Sequence, residues 1–215
     1  MSARDFIAIT GLLMTVTTAT VADSSSAVTS SKGHVAVWNG FVDDVLALHK
    51  KQLTRYKVTT SRKPGGYFND PEFYIEERFT DSATGNVLSV IQWEKAHPDR
   101  VHSIDVYVRD DKGRVIRDYS ALYLTFSRNA PQQTLINLHA HNGKLHGWRQ
   151  FDASDERIQE QCKGELNGKP VMIELDDMDL LGATDRLNRI SNSPEYKACF
   201  EGLPENSAGK YLTPQ

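Results

Sequence analysis

Cysteine is scarce in this chain, with Cys162 and Cys199 the only two in 215 residues. Neither CxxC nor CxxCH occurs, so the usual signals of a thiol-redox pair and of attached c-type haem are missing. Also missing are GxSxG, GxGxxG, GxxxxGK followed by Ser or Thr, and HExxH. With them go the standard marks of a hydrolase elbow, a dinucleotide turn, a phosphate loop and a zinc-protease helix. No apolar stretch reaches the roughly 20 residues that a bilayer-spanning helix needs. Neither sign of charge dominates, since 25 Lys and Arg against 28 Asp and Glu leave a net −3. This balance lacks the basic footprint of a nucleic-acid binder and the polybasic patch that holds a protein to anionic lipid. Small molecules, ions and other proteins remain as partners.

The N-terminus has the order of a targeting segment. Arg4 and the free amino group give a weakly positive start, an apolar run extends from Phe6 to Val16, and small residues lead to Thr20-Val21-Ala22. That order predicts a secretory signal peptide over 1–22, cleaved after Ala22. The alternative, a buried N-terminal helix, finds no apolar period in the Ser/Thr-rich stretch that follows. Removal of 22 residues from 215 leaves 193, which suits a single domain with a sizeable core. The expected location is periplasmic or secreted. There an even cysteine count favours a Cys162–Cys199 disulfide over two buried free thiols. In the chain-entropy account a bridge of that span stabilises by about 4 kcal/mol.

Residues 23–33 are small and polar and read as a flexible start to the mature chain. Trp38, Phe41, Val42, Val45, Leu46, His49, Leu53 and Tyr56 then recur at steps of three and four, which predicts an amphipathic helix over 36–56. Beyond a glycine- and proline-rich loop at 63–71 the period becomes two. Strands are expected near 72–80, 87–94, 101–109, 114–124, 133–141, 144–151, 156–166 and 169–175, separated by short turn-forming segments. The fold class is therefore mainly β (α+β): an N-terminal helix and an up-and-down meander of about eight strands, closed into a barrel or left as a strongly curved open sheet. A short helix is expected around 185–191, with Pro194 ending it or opening another. The β-rich domain spans 34–200, and 201–215 reads as a loose tail.

One hairpin is rich in histidine. In LHAHNGKLHGW, residues 138–148, an Asn-Gly pair sits between alternating segments. With Asn142 and Gly143 at the centre of the turn, His139 faces His146, His141 faces Lys144, and Asn137 faces Trp148. His139, His141 and His146 then share one side of the sheet, opposite Ile136, Leu138, Ala140, Leu145 and Phe151. Three imidazoles in a small patch suit zinc or copper. Lys144 on the same side opposes a cation, and the bland reading is a polar face.

A second constellation comes from alternation in strand 114–124, where Arg117, Tyr119 and Tyr123 share a side. With Tyr107, Glu77 and Trp148 from other strands they are candidate ligand contacts, against the plain alternative of an outward face of aromatics and ion pairs. The cluster Glu174, Asp176, Asp177 and Asp179 lacks the glycine and spacing of a calcium loop and reads as an acidic strand end. Tyr67 and Phe68 in the 63–71 loop are candidates for a lid. Together these features lead to the expectation of a non-enzymatic small-molecule carrier with its ligand, apolar or amphipathic, in the concavity of the sheet. The alternatives are a zinc or copper binder using the histidine hairpin and a structural partner in an envelope assembly.

Overall fold

The computed structural model describes residues 32–124, 129–182 and 185–215. The expected signal peptide, and all but the last two residues of the expected flexible segment, lie outside the described residues. Those two already belong to helix α1, Lys32–Arg55. Its Phe41, Val42, Val45 and Leu48 are buried, as the three- and four-residue spacing requires. Each such side chain contributes roughly 1.5–3 kcal/mol on burial.

Among the described residues nine antiparallel strands follow: β1 (Val58–Tyr67), β2 (Asp70–Asp81), β3 (Val87–Glu94), β4 (His97–Arg109), β5 (Val115–Leu122), β6 (Gln133–Asn142), β7 (Leu145–Phe151), β8 (Arg157–Leu166) and β9 (Lys169–Leu175). They pair in sequence order, and β1 and β9 form the two free edges. The sheet is therefore open, and the closed-barrel alternative is set aside.

The ninth strand is a correction to the expected eight. β1 (VTTSRKPGGY) is almost wholly exposed. A strand that buries no face has no alternation to reveal it, and Pro64 is tolerated because the strand is at an edge. It pairs with β2 from Val58↔Asp81 to Gly65↔Tyr74 and closes at Tyr67↔Asp70. Residues 63–71 are thus a hairpin tip rather than a loop. Gly66 is needed there, since an added Cβ would lie 2.0 Å from the Asp70 carbonyl oxygen.

Short helices follow β9: α2 (Asp177–Leu181), α3 (Asp185–Ser191) and α4 (Pro194–Phe200), then a 3₁₀ turn at Gly209–Leu212. Pro194 opens α4, with Ser193 as its cap. The acidic cluster is a helix start rather than a strand end. Asp176 caps α2 in a reciprocal capping box with Asp179, which also pairs with Arg186. Nor is the C-terminal tail loose, for Ala208 is buried and Leu203, Tyr211 and Leu212 pack on the main core.

Both helical layers cover the same face of the sheet. The register runs Val106↔Tyr119↔Ile136↔Phe151 beneath α1, and Gly147↔Cys162↔Ile173 beneath α4. Apart from Gly147, these residues belong to two apolar clusters, one under α1 and one under α4. The disulfide Cys162–Cys199 ties β8 to α4. Gly147 lets α4 lie directly on β7, since a Cβ there would meet the Cys199 carbonyl oxygen at 2.4 Å.

Candidate functional site

A cavity of about 350 Å³ opens between the C-terminal half of α1, β3, the β4–β5 hairpin and Gln215. Leu48, Leu88 and Val108 line it with apolar surface, and Lys51, Gln52, Arg55, Arg109 and Arg117 bring polar groups to it. Gln52 donates from Nε2 to the Tyr107 carbonyl at 2.8 Å, while its Oε1 is buried without a partner. Arg109 donates to the carbonyls of Gly113, at 2.9 Å, and Val87. Arg117 donates from Nη2 to the Gln215 main-chain oxygen, and the Tyr211 ring lies 5.5 Å from its guanidinium carbon. Its Nε is buried and unpartnered.

Three carboxylates also line the cavity. Asp81 is committed to its own turn, where the Thr84 hydroxyl and the Ala83 N–H hold its carboxyl below the usual range. Asp110 is taken by Arg114 and the Lys112 N–H. Asp111 is exposed. Among the described residues, none of the four lining cations forms an ion pair with an Asp or Glu side chain.

The six expected ligand residues do not form one site. Arg117, Tyr119, Tyr123 and Glu77 lie on the helix-covered face, whereas Tyr107 and Trp148 lie on the other, because Tyr107 pairs with Asp118 and Trp148 with His139. Tyr119 is buried in the core, and burial pushes its phenol up. Tyr123 donates to Asn39 at 3.0 Å and fastens α1. Glu77 accepts from Arg62 and from the Trp93 indole, the latter at 2.7 Å. Tyr107 gives the cavity its carbonyl, while its phenol is pushed up to about 12 by burial and then by Asp105 and Asp118. Arg117 is thus the expected residue whose side chain borders the cavity. Arg109, which strand alternation also offers as a pocket residue, lines the cavity too, whereas Lys51, Gln52 and Arg55 escaped the sequence reading; their helical spacing at the C-terminal end of α1 was the available signal. Tyr67 and Phe68 stand at the β1–β2 tip, with Phe68 fully exposed and Tyr67 bonded to His102.

The histidine hairpin shares its face as expected but in a different register. Gly143 (φ 63°) and Lys144 occupy the turn, so Asn142 pairs with Leu145, His141 with His146, and His139 with Trp148. A glycine at the first central position suits a II′ turn, which frees Asn142 to donate to the Ala198 carbonyl at 2.9 Å. The polar face is a connected array. Gln150 donates to Asn137 at 2.8 Å and Asn137 to Asp118 at 2.7 Å. Asp118 accepts from His139 Nε2 at 2.7 Å, and His139 Nδ1 meets His146 Nε2 at 3.0 Å. His141 donates from Nε2 to the Val115 carbonyl at 2.8 Å and lies flat on His146, 2° from parallel with centroids 4.7 Å apart. Burial and the two neighbouring imidazoles push the His146 pKa down.

A metal ion sits in the ring plane of each imidazole it binds, and parallel stacked rings share no such point. Among the described residues, no three His, Cys, Asp or Glu side chains are grouped to hold a metal. Lys144 is drawn to Glu165 at 2.9 Å. A further histidine, His49, bonds Ser89 at 2.7 Å between α1 and β3. Both are buried, so this Ser–His contact fastens the helix and offers no substrate access.

The chain matches no protein-family model, no curated protein and no solved structure.

Proposed function

We propose that this chain is an extracytoplasmic, non-enzymatic binding protein that seats a small amphipathic molecule in the cavity beneath the end of α1. The observation that carries this reading is the composition of that cavity. Apolar Leu48, Leu88 and Val108 meet four cations in a concave space of about 350 Å³, within the volume range of small-molecule sites. The disulfide supports an oxidising compartment. No helix among the described residues is long and apolar enough to cross a membrane. Native mass spectrometry of protein purified from its own host tests the reading. A retained organic mass that is lost in a Leu88→Trp variant, which fills the cavity, is expected. Protein that carries no small molecule before or after exposure to its host's extract counts against it.

A second reading, zinc or copper binding at His139, His141 and His146, has one observation in its favour. Asp118 and the Val115 carbonyl hold the outer N–H groups of His139 and His141, the second-sphere support that metal-binding imidazoles use. Titration with Zn²⁺ and Cu²⁺ against a His139→Ala/His146→Ala variant decides it, and equal affinity for both proteins ends it.

A further inference from the structure

Resting on the cavity reading, we infer that the ligand carries a carboxylate head group, that Arg117 receives it, and that the Gln215 main-chain oxygen occupies its place in the unliganded protein.

The charge of the lining is the starting point. Lys51 and Arg55 stand near the C-terminal end of α1, where cations also answer the helix dipole. Arg109 spends donors on the Gly113 carbonyl of its own hairpin and the Val87 carbonyl of β3. Neither explanation covers Arg117, which projects from the middle of β5 toward the helix-covered face. A half-buried guanidinium there is favoured by a charged partner or a full set of acceptors. Arg117 has the Gln215 main-chain oxygen, the face of Tyr211 and the neighbouring Tyr119 hydroxyl, and its Nε is left without an acceptor.

The geometry of a guanidinium selects among anions. Its fork matches a planar carboxylate through two parallel N–H···O bonds. The single main-chain oxygen of Gln215 supplies half of that pattern. A carboxylate displacing it gains a charge-assisted bond and the unused Nε donor together. Lys51, Arg55 and Arg109 set a positive potential at the entrance, and the tail of the molecule rests against Leu48, Leu88 and Val108.

Isothermal titration of the full chain with decanoate, decanol and decylamine tests this. Wild-type protein is expected to bind decanoate at least about tenfold more tightly than decanol, and decylamine least. Raised salt weakens the decanoate complex alone. Arg117→Gln loses that preference while binding decanol as before, and Lys51→Gln/Arg55→Gln, on the exposed end of the helix, weakens decanoate by a smaller factor without touching the core. Equal affinity for decanoate and decanol, or decanoate binding unchanged in Arg117→Gln, overturns the inference and leaves the cavity reading standing. Failure of all three probes to bind at millimolar concentration overturns the cavity reading and the inference with it.

Discussion

Arg149 and Arg117 project from the same face of the same sheet, each opposite Leu138 in the ladder of paired strands. Their surroundings differ. Arg149 is fully buried and bonds Glu160 through Nε, the Pro204 carbonyl through Nη1 and the Tyr196 hydroxyl through Nη2 at 2.9 Å. Tyr196 in turn donates to the second Glu160 oxygen at 2.7 Å, closing the ring of partners. Burial and then Glu160 push the Tyr196 phenol up to about 12. Arg117 has no Asp or Glu partner among the described residues and bonds the Gln215 main-chain oxygen instead. One arginine is a completed structural joint that holds the C-terminal segment to β7 and β8. The other retains donor capacity beside a cavity. The same residue type thus serves the fold in one place and, in the proposed reading, a ligand in the other.

The largest test removes the completed joint. Arg149→Ala leaves the buried Glu160 with only Arg157, at 3.4 Å, and the Tyr196 hydroxyl and is expected to cost about 3 kcal/mol, whereas Arg117→Gln is expected to cost under about 1 kcal/mol. Chemical denaturation of both variants measures the difference, and equal losses erase it. Next in size is the bridge that clamps the Arg149 end. Cys162→Ser/Cys199→Ser is expected to lose up to about 4 kcal/mol. Hydrogen exchange should rise first in α4 and β8 and leave α1 protected. Simultaneous opening of both ends argues against two separately fastened regions.

A smaller effect separates the ends by pH. Burial pushes the His49 and His102 pKa values down. Each is then protonated more readily in the unfolded chain, so stability is full above the unfolded value near 6.5 and falls as pH drops toward the lower folded values. Melting temperature is expected to decline between pH 7 and pH 5, and His49→Gln, beside the α1 seam, should flatten that decline. An unaltered slope removes His49 from the account. The smallest effect lies in the two Asn-Gly hairpins. Asn167 (φ 52°) and Gly168 (φ 78°) both occupy the left-handed region, as a I′ turn requires. Asn167→Ala is expected to cost about 1 kcal/mol through backbone strain. Asn142→Ala acts only through its lost contact with α4. Thermal melts compare the two, and the Asn142 loss is expected to vanish in a variant that already lacks the disulfide.

Much of this architecture is legible in the sequence because burial writes a period into it. β3 runs from Val87 to Glu94 and α3 from Asp185 to Ser191, as the residue pattern alone indicates. β1 is silent because an exposed edge imposes no alternation. The histidine hairpin was readable as a hairpin and as a shared face. Its one-step shift in pairing was not, because Asn-Gly serves either the first type of primed turn or, with glycine leading, the second. The cavity shows the opposite limit. Arg117 emerges from strand alternation, but its convergence with Lys51, Gln52 and Arg55 depends on where α1 crosses the sheet, and no local pattern encodes that crossing.

The two rims of the sheet remain. Pro64 interrupts the donors of β1 and Pro170 those of β9, and Arg62, Lys63 and Lys169 add charge along the same borders. A foreign strand seeking to extend the ladder meets a missing N–H and a desolvation cost on either side. Such guarded borders raise the cost of edge-to-edge pairing between neighbouring copies.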